Sequence, residues 1–520
     1  NVYMTFEIVF VLLSLLGMMA ALIADKMRPG MVLFSVVVLF LCVGILTPKE
    51  MLEGFSNKGM ITVALLFLVS EGIRQSGTLG QVIKKLLPQG KTTVFKAQLR
   101  ILPSVAFISA FLNNTPVVVI FAPIIKHWAK SVKLPATKFL IPLSYVTILG
   151  GICTLIGTST NLVVHGMILE AGYEGFTMFE LGKVGIFIAI AGIIYLFIFS
   201  KRLLPDARPD TAVPDEEVEE GEKLHRVEAV LGARFPGINK KLSDFNFQRH
   251  YGAEVKEIKT RNGQRYVDHL EDVVLREGDT LVVMADDTFI PTWGESSVFV
   301  LLTNGNEPDT TGKKKRWFAL LLLVLMIVGA TVGELPITKE MFPDIKLDMF
   351  FFVSITTIIM AWTNLFPARK YTKYISWDIL ITIACAFAIS KAMVNSGVAD
   401  SVAKFIIGLS DDYGPHVLLA MVFIITNLFT ELITNNAAAA LAFPLALSIS
   451  AQLGVSPTPF FVVICMAASA SFSTPIGYQT NLIVQGIGNY KFTDFVRIGL
   501  PLNIITFLIS IILIPLIWNF

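Results

Sequence analysis

Apolar runs recur along most of this 520-residue chain, and many of them approach the ~20 residues that an α-helix needs to cross a lipid bilayer. Only 16% of the residues are charged, against roughly a quarter in an average soluble domain. These two features exclude a soluble fold and predict an all-α polytopic membrane protein. Hydropathy places ten spans, at residues 6–25, 30–46, 60–73, 136–156, 178–200, 317–332, 347–362, 377–393, 458–476 and 495–518.

Two further apolar segments are interrupted in the middle by polar clusters. Residues 97–128 contain the run Asn-Asn-Thr at 113–115, and residues 416–451 contain the run Thr-Asn-Asn at 434–436. Irregular backbone at membrane depth is tolerated only where protein or a wet cavity surrounds it. We therefore predict that each segment is a re-entrant hairpin whose tip carries the polar cluster.

The composition changes between residues 205 and 315. An acidic stretch at 215–220 opens this region, and we expect it to be a solvated, disordered linker. Four strand-like runs, with a turn at 261–263, then predict a small soluble domain; the runs are 226–231, 254–260, 279–284 and 297–302. The predicted organisation is a first transmembrane repeat (1–204), a linker (205–221), a soluble domain (222–305) and a second transmembrane repeat (306–520).

The two membrane parts are copies of one unit. Residues 61–70 align with residues 381–390, an offset of 320 residues (381 − 61). At the same offset, residues 154–166 align with residues 474–486. The two polar hairpin tips lie between these blocks, one in each half. Internal similarity of this kind predicts a duplicated fold.

The basic residues predict the orientation of the chain. They fall on one side of the bilayer if each half has five spans and its hairpin returns to the side from which it entered. By the positive-inside rule that side is cytoplasmic. Because five is odd, the second repeat is predicted to be inverted relative to the first. In this arrangement the loop at 205–315 is cytoplasmic, both termini lie outside, and the chain is a multi-pass protein of the plasma (inner) membrane.

Interrupted segments in inverted repeats are typical of secondary transporters, whose binding sites lie near the bilayer midplane. Broken helices there offer backbone carbonyls to cations and helix N-termini to anions. The helix breaks at 157–161 and 477–481 each face a hairpin tip in this scheme, so we expect two symmetry-related cation sites. Hydroxyl, amide and carbonyl oxygens suit a hard cation such as sodium. The alternative is that these residues only join helices by hydrogen bonds, which their repetition in register disfavours.

These motifs resemble the divalent anion:sodium symporter family, the sodium-coupled sulfate and dicarboxylate carriers of the ion transporter superfamily. That family has a Ser-Asn-Thr signature at each hairpin tip and a Gly-Thr-Pro-Pro-Asn-like break in the following helix. The resemblance implies one sodium at Ser109, Asn113, Asn114 and Gly157, and a second at Thr430, Thr434, Asn435 and Gly477. It also implies substrate contacts from Asn114, Thr115, Thr158, Asn435, Asn436 and Tyr478.

The chain departs from the family pattern at several positions. Asn113 stands for Ser, Asn436 stands for Thr, and both Pro-Pro pairs are absent, which weakens the case for a dicarboxylate. Tyr478 and Gln479 occupy positions where the family has smaller residues. If they point into the site they narrow it and favour compact sulfate; if Tyr478 points away, a dicarboxylate still fits.

The soluble domain resembles the C-terminal regulatory domain (TrkA-C) of Trk-type potassium-uptake and potassium-channel subunits. The resemblance rests on residues 245–255 and 275–283. It implies a small α/β fold with a regulatory role. Because related domains pair and the symporter family is dimeric, it also implies a homodimer. Sulfate permeases of the superfamily carry such domains in the same loop.

Glu431 lies beside Thr430 within the second hairpin. An ionisable residue inside a membrane segment is a functional candidate by default. Glu431 can support the hairpin tip through hydrogen bonds, or it can take part in proton coupling, and the sequence favours neither role.

Taken together, the sequence predicts a sodium-coupled symporter that imports a small divalent oxyanion, with sulfate preferred, by alternating access. Sodium would neutralise the buried dianion, since neither signature block holds an Arg or a Lys. A dicarboxylate carrier is the alternative within this class; a ligand-gated channel or an oxyanion sensor is the alternative outside it. No nucleophile–base pair or further metal-ligand cluster is evident, so no enzyme is predicted. The net charge of +2 gives no reason to expect nucleic acid, and the predicted partners are the anion, sodium and the lipid bilayer.

Overall fold

The membrane part of the protein is built from two series of helices joined by a soluble insert. The computed structural model describes residues 6–206, 214–219, 222–294, 296–303, 312–410 and 413–520. The described residues of the first half form the helices α1 (Phe6–Ala24), α2 (Pro29–Val43), α3 (Pro48–Glu53), α4 (Lys58–Gln75), α5 (Thr78–Leu86), α6 (Val94–Ser109), α7 (Asn114–Ser131), α8 (Leu140–Gly151), α9 (Ser159–Glu170) and α10 (Gly182–Leu203).

The insert is an antiparallel sheet with two short helices. Its elements are β1 (Glu216–Glu219), β2 (Glu222–Leu231), α11 (Phe247–Tyr251), β3 (Glu254–Lys259), β4 (Arg265–Tyr266), β5 (Thr280–Ala285), α12 (Phe289–Trp293) and β6 (Phe299–Thr303). The strand order is β1-β2-β5-β3-β4, and β6 also pairs with β2. The central strand β5 is buried along its whole length. The four predicted strands are all present, and the predicted turn at 261–263 joins β3 to β4 with Gly263 at a φ of +83°.

The prediction of a disordered acidic linker is partly wrong. Residues 216–219 form β1, which pairs with β2 at the edge of the sheet. The side chains of Glu216 and Glu217 are exposed, so the strand is solvated as expected. Charged side chains on an edge strand discourage further pairing with other chains. Residues 207–213 and 220–221 of the predicted linker lie outside the described residues.

The second half repeats the order of the first. Its helices are α13 (Lys313–Gly333), α14 (Pro336–Met341), α15 (Met349–Trp362), α16 (Trp377–Asn395), α17 (Val398–Leu409), α18 (Pro415–Leu432), α19 (Asn435–Leu453), α20 (Thr458–Ser469), α21 (Gln479–Gly488) and α22 (Phe492–Ile517). From α4 and α16 onward the two series correspond helix for helix. Inversion of one repeat relative to the other stays a prediction.

A left-handed glycine marks the same point in both copies. Gly77 joins α4 to α5 with a φ of +74°, and Gly397 joins α16 to α17 with a φ of +81°. Glycine adopts this conformation without the strain that a Cβ atom would cause. The chain therefore changes direction at equivalent positions of the two repeats.

Many of the helices match the predicted spans. Within the described residues, eight helical segments are long and apolar enough to cross a membrane: Phe6–Ala24, Pro48–Gln75, Gly182–Leu203, Lys313–Gly333, Trp377–Asn395, Pro415–Leu432, Asn435–Leu453 and Phe492–Ile517. The other predicted spans coincide with four shorter apolar helical segments, Pro29–Val43, Ala136–Gly151, Met349–Trp362 and Thr458–Ser469. The re-entrant path of the two hairpins stays a prediction.

The two halves share one apolar core. Helix α2 packs on α16, α4 on α15, and α10 on α22, so each half contributes to a common interior. Two buried tyrosines tie the halves together: Tyr145 donates to the carbonyl of Phe472 (2.5 Å), and Tyr195 to that of Ile498 (2.7 Å). This interface places the polar tips and helix breaks of the two repeats next to one another.

Candidate functional site

The tip of the first hairpin holds a buried polar pair. Helix α6 ends at Ser109 and α7 begins at Asn114, so the tip is the short turn between them. The Ser109 hydroxyl lies 2.7 Å from Asn114 Oδ1 and 2.9 Å from the carbonyl oxygen of Thr147. A hydroxyl has only one proton, so it cannot donate to both oxygens at once. One oxygen of this cluster is thus available to another donor or to a cation.

The tip of the second hairpin repeats this geometry. Thr430 Oγ1 lies 2.5 Å from Asn435 Oδ1 and 2.6 Å from the carbonyl oxygen of Ala468. Thr430 corresponds to Ser109 at an offset of 321 residues (430 − 109), and Asn435 corresponds to Asn114 at the same offset. The duplication therefore extends from sequence to individual hydrogen bonds.

An asparagine braces the helix break in each half. Asn161 Nδ2 donates to the carbonyl oxygens of Gly151 (3.4 Å) and Thr154 (2.9 Å), which lie on the other side of the break. These bonds satisfy carbonyls that have no partner inside a helix. In the second half, Asn481 Nδ2 makes the equivalent bonds to the carbonyl oxygens of Ser471 (2.9 Å) and Thr474 (3.3 Å).

Four helices begin at this place. Helices α7 and α19 start at the hairpin tips, and α9 and α21 start directly after the breaks. Helix α7 packs against α21, and α9 packs against α19, so each contact joins one half to the other. A helix N-terminus has unpaired N–H groups and a partial positive charge. Four such ends in one region form an environment that favours an anion.

The Tyr478 side chain lies at the centre of this group. Its hydroxyl accepts a hydrogen bond from Asn114 Nδ2 (2.9 Å) and lies 3.3 Å from Thr158 Oγ1. The side chain of Asn435 also interacts with it. Tyr478 therefore points into the space between the halves, where it contacts both hairpin tips and narrows the site.

Each tip also contacts the helix break of the opposite half through a second set of side chains. Thr115 Oγ1 lies 3.4 Å from Gln479 Oε1. Asn436 Oδ1 accepts hydrogen bonds from Thr160 Oγ1 (3.1 Å) and Ser159 Oγ (3.4 Å). The six predicted substrate residues thus lie in one connected cluster together with these break residues.

The other two predicted sodium ligands of the first half are Gly157 and Asn113. A Cβ atom added to Gly151 would lie 2.9 Å from Asn114 Oδ1 and 3.0 Å from the carbonyl oxygen of Gly157. Gly157 therefore belongs to the same cluster as Asn114. Asn113 instead lines a small cavity with Ser159, and its side chain makes no capping hydrogen bond to α7.

In the second half the corresponding residues are Thr434 and Gly477. The Thr434 hydroxyl caps α19 by accepting a hydrogen bond from the backbone N–H of Ala437 (3.3 Å). Gly477 packs directly on the side chain of Ser471, where a Cβ atom would not fit. Thr434 is thus engaged as a helix cap, whereas Gly477 permits close approach of the broken segment.

Glu431 lies at the centre of a partly buried hydrogen-bond network beside the second tip. It accepts from Thr474 Oγ1 (2.8 Å) and from Asn503 Nδ2 (3.0 Å). Asn503 also donates to Ser473 Oγ (2.7 Å). Glu431 therefore joins the second hairpin to the second break and to α22, which is the supporting role considered above; a role in proton coupling stays a prediction.

The oxygen atoms of the first half fit a hard cation. Asn161 Oδ1 is buried and has no hydrogen-bond partner within the described residues. A buried acceptor without a partner is costly, and a cation would satisfy it. In the second half the equivalent Asn481 Oδ1 accepts from Ser144 Oγ (2.6 Å), and a carboxylate, Glu431, is present instead. Both clusters consist of the hard oxygen donors that sodium prefers.

Several of these residues are not among the ligands predicted from the sequence. Asn161 and Asn481 recur at the offset of 320 inside the two breaks, so the repeat itself could have identified them. Ser144 and Asn503 could not have been found in this way, because their contacts are long-range and the repeat does not mark them.

The architecture first defines a class of protein. A duplicated helical membrane protein with hairpin tips set against broken helices has the features of a secondary transporter. The crystal structure of the YdaH transporter of Alcanivorax borkumensis is similar in fold, with a TM-score of 0.53 over 98% of each chain and 12% sequence identity.

The chain belongs to the citrate transporter (CitMHS) family, whose model matches residues 19–454 and 341–519. An uncharacterized transporter of Synechocystis sp. is 29% identical over 93% of each chain. The uncharacterized transporter YfbS of Escherichia coli is 26% identical over 99% of this chain and 100% of its own length. Sodium/sulfate cotransporter 2 of Chlamydomonas reinhardtii is 31% identical over 54% of this chain and 31% of its own length.

These matches confirm the predicted relationship to sodium-coupled anion carriers. The chain is an integral, multi-pass membrane transporter and not an enzyme.

Proposed function

We propose that this chain is a sodium-coupled symporter that imports a divalent oxyanion, preferably sulfate, by alternating access. The observation that carries the proposal is the convergence of four helix N-termini on the Tyr478 hydroxyl and its partners, Asn114 and Thr158. Helix N-termini bind sulfate and phosphate through their free N–H groups. The side chains in contact there are neutral donors, which suits an anion that is released again on the other side.

Sodium has a clear physical task in this mechanism. A dianion at membrane depth is costly unless its charge is compensated. The oxygen clusters at Ser109–Asn114 and Thr430–Asn435 lie at the two tips and can each hold a cation. Two cations would balance the charge of one sulfate and hold the tips in the binding geometry. Two sodium ions and one sulfate carry no net charge together, so the loaded site can change its exposure at a lower cost than a site that holds sulfate alone.

The position of Tyr478 supports sulfate over a longer anion. A ring whose hydroxyl contacts both tips leaves a short space between them. Sulfate is a compact tetrahedron that accepts hydrogen bonds in all directions, whereas succinate needs two separated carboxylate sites. The names of several relatives, such as the sodium/sulfate cotransporter of Chlamydomonas reinhardtii, point the same way.

A carboxylate carrier is the second candidate, because the matching family model is described as a citrate transporter. Purified protein in proteoliposomes distinguishes the two. We expect saturable uptake of labelled sulfate that requires an inward sodium gradient. Stronger inhibition by unlabelled succinate or citrate than by sulfate or thiosulfate would reject sulfate and keep the symporter. Uptake without saturation would indicate a channel, and binding without uptake would indicate a sensor.

The proposal includes a topology and an assembly. The insert, at residues 222–305, is placed in the cytoplasm, both termini are placed outside, and the protein is proposed to be a homodimer. A single cysteine at the exposed Glu271 should react with an impermeant maleimide only after right-side-out vesicles are opened. Labelling of intact vesicles would show that the insert lies outside, opposite to the proposed orientation. Mass measurement of the protein in a lipid nanodisc tests the dimer directly.

A further inference from the structure

Among the contacts of the insert with the membrane helices, two sets of polar contacts stand out, which we call the inner joint and the outer joint. The inner joint consists of Glu228 and Lys259 of the insert, Lys126 of α7 and Gly486 of α21. The outer joint connects Glu277, Arg261 and Asn239 of the insert to the turn between α1 and α2. The inner joint is the more deeply buried of the two, and we expect it to open less readily than the outer joint.

The inner joint is buried and closely connected. Glu228 Oε1 accepts from Lys126 Nζ (3.0 Å) and from Arg226 (3.0 Å), and it lies 3.6 Å from Lys259 Nζ. The side chains of Glu228 and Lys259 are only 7% and 4% exposed. Lys259 also donates to the carbonyl oxygen of Gly486 (3.1 Å), in the last turn of α21. A cation at a helix C-terminus is favourable because it meets free carbonyls and the negative end of the dipole.

Charge and packing strengthen this joint. Burial raises the pKa of Glu228, but the positive charges of Lys126, Lys259 and Arg226 outweigh it and lower that pKa to about 2. The carboxylate is therefore ionised at neutral pH. Removing one partner of such a buried pair leaves an uncompensated charge, which makes the contact hard to break. The start of β5 packs on α21 as well, with Thr280 directly against Gly486.

The outer joint consists of separate, partly exposed contacts. Arg28 pairs with Glu277, and these side chains are 34% and 33% exposed. Arg261 pairs with Asp25 at 2.5 Å, and these side chains are 13% and 29% exposed. Asn239 donates to a backbone carbonyl of the same turn. Ion pairs that water can reach contribute little and form and break readily.

The inner joint is attached to α7 and α21, two of the four helices that begin at the candidate site. Helix α7 begins at Asn114 and α21 begins next to Tyr478, and these two residues are hydrogen-bonded. The far parts of the same helices carry Lys126 and Gly486 and meet at Glu228. The insert therefore completes a closed series of contacts. It runs from the site along α7 to Glu228, and from there back along α21 to the site.

We propose that the insert is a latch, which stays bound to α7 and α21 through Glu228 and restrains them by its releasable contacts to the α1–α2 turn. The proposal rests on the proposed function in that the restrained movement is the change of exposure during transport. When the outer joint opens, α7, α21 and the insert move as one body. When it is closed, the site helices are held to α1 and α2, and the transport rate is low. Any factor that binds the insert near the outer joint would change the rate without entering the site.

Distance measurements test the latch without any transport assay. Spin labels at Glu271 of the insert and at the exposed Met27 of the α1–α2 turn should give two distances by double electron–electron resonance. Labels at Glu271 and at Lys133, which lies just beyond α7, should give one distance in the same sample. A single distance for the first pair, or two distances for the second, overturns the proposal.

Transport then tests the function of the latch. The variant Asp25→Asn with Glu277→Gln removes both charged contacts of the outer joint, and we expect it to raise the initial uptake rate about threefold at an unchanged KM. Glu228→Gln should abolish this stimulation, because the insert no longer holds α7. The matched control is Glu254→Gln, a half-exposed carboxylate of β3 that contacts Lys256. A rate equal to that of the wild type in the double variant overturns the proposal.

A reversible crosslink gives the opposite perturbation. With cysteines in place of Asp25 and Arg261, a bis-methanethiosulfonate linker closes the outer joint, and dithiothreitol opens it again. We expect uptake to fall at least about tenfold on closure and to recover on reduction. Each single-cysteine variant, treated in the same way, controls for the four native cysteines. Full uptake through crosslinked protein excludes the latch. If the wild type transports no anion at all, the proposed function fails, and the distance measurement still decides the latch.

Discussion

The two hairpin units of this protein share their scaffold and differ in their charge. Ser109 and Thr430 make the same pair of hydrogen bonds at the two tips. At the next position, however, the first unit has Ala110 and the second has Glu431. The first unit is therefore neutral, while the second holds a partly buried carboxylate bonded to Thr474.

The two units share the hydrogen bonds that support the fold and differ in residues that we assign to transport. The bonds common to both units hold the unwound backbone, which both copies need equally. The differences lie where the copies meet, since Tyr478 of one unit occupies the position of Thr158 in the other. We infer that two equivalent cation clusters became unequal, with the carboxylate making the second cluster the stronger one.

The largest expected effect comes from removing the residues that the units share. Asn114→Ala and Asn435→Ala should each lower sodium-driven uptake about 10- to 100-fold, because a buried hydrogen-bond network loses its central member. The measurement is the initial rate against sodium concentration in proteoliposomes. Asn395→Ala, which removes an amide at the end of α16, is the matched control and should stay near wild type. Unchanged sodium activation in both site variants would remove the assigned cation clusters.

The second effect tests the inequality of the units. Glu431→Gln should raise the sodium concentration for half-maximal uptake about tenfold, since a charge-assisted contact is replaced by a neutral one. Glu71→Gln is the control, because Glu71 is also a carboxylate in a membrane helix but pairs locally with Arg74 (2.5 Å). Equal sodium affinity in both variants would mean that Glu431 only supports the fold.

The third effect concerns Tyr478, which lies where the two units meet. Tyr478→Phe should lower sulfate uptake about fivefold, because Asn114 and Thr158 lose a shared partner. Succinate should then compete better against sulfate than it does in the wild type. Tyr195→Phe also loses a buried hydroxyl that bridges the halves, but its partner, Ile498, belongs to neither a tip nor a break, so this variant controls for stability. A selectivity that does not change would exclude Tyr478 from substrate choice.

The smallest effect distinguishes the two bracing asparagines. Without sodium, Asn481→Ala should melt a few degrees below Asn161→Ala, because only Asn481 also accepts a bond from Ser144, worth ~1 kcal/mol. Sodium should raise the melting temperature of Asn481→Ala more than that of Asn161→Ala, since Asn161 Oδ1 is the acceptor without a partner. The readout is thermal unfolding in detergent over a sodium series. Identical sodium shifts in the two variants would contradict a cation at Asn161.

The sequence predicted the features that depend on local pattern. Hydropathy located the helices, and the repeat located both tips and both breaks, because each copy obeys the same local rules of helix start and stop. The relationship to sodium-coupled anion carriers followed from those motifs and is confirmed by the comparisons.

Long-range contacts could not be predicted in this way. No periodicity indicates that Thr115 meets Gln479 while Asn436 meets Thr160, or that the Tyr478 ring points inward. The pairing of residues 216–219 with β2 could not be predicted either, because a charged run has the same composition in an edge strand and in a linker. The inner joint of the insert needs three distant segments, and only the folded chain brings them together.

The contact between Asn114 and Tyr478 has a consequence for biosynthesis. These residues are 364 positions apart, so the first tip enters the membrane long before its partner leaves the ribosome. Contacts between distant segments form late in folding, because a large loop must be closed first. A chain that stops short of Tyr478 would contain the whole first repeat and still leave a polar tip open within the lipid. The packing of α21 against α7 is therefore a late event in the folding of this chain.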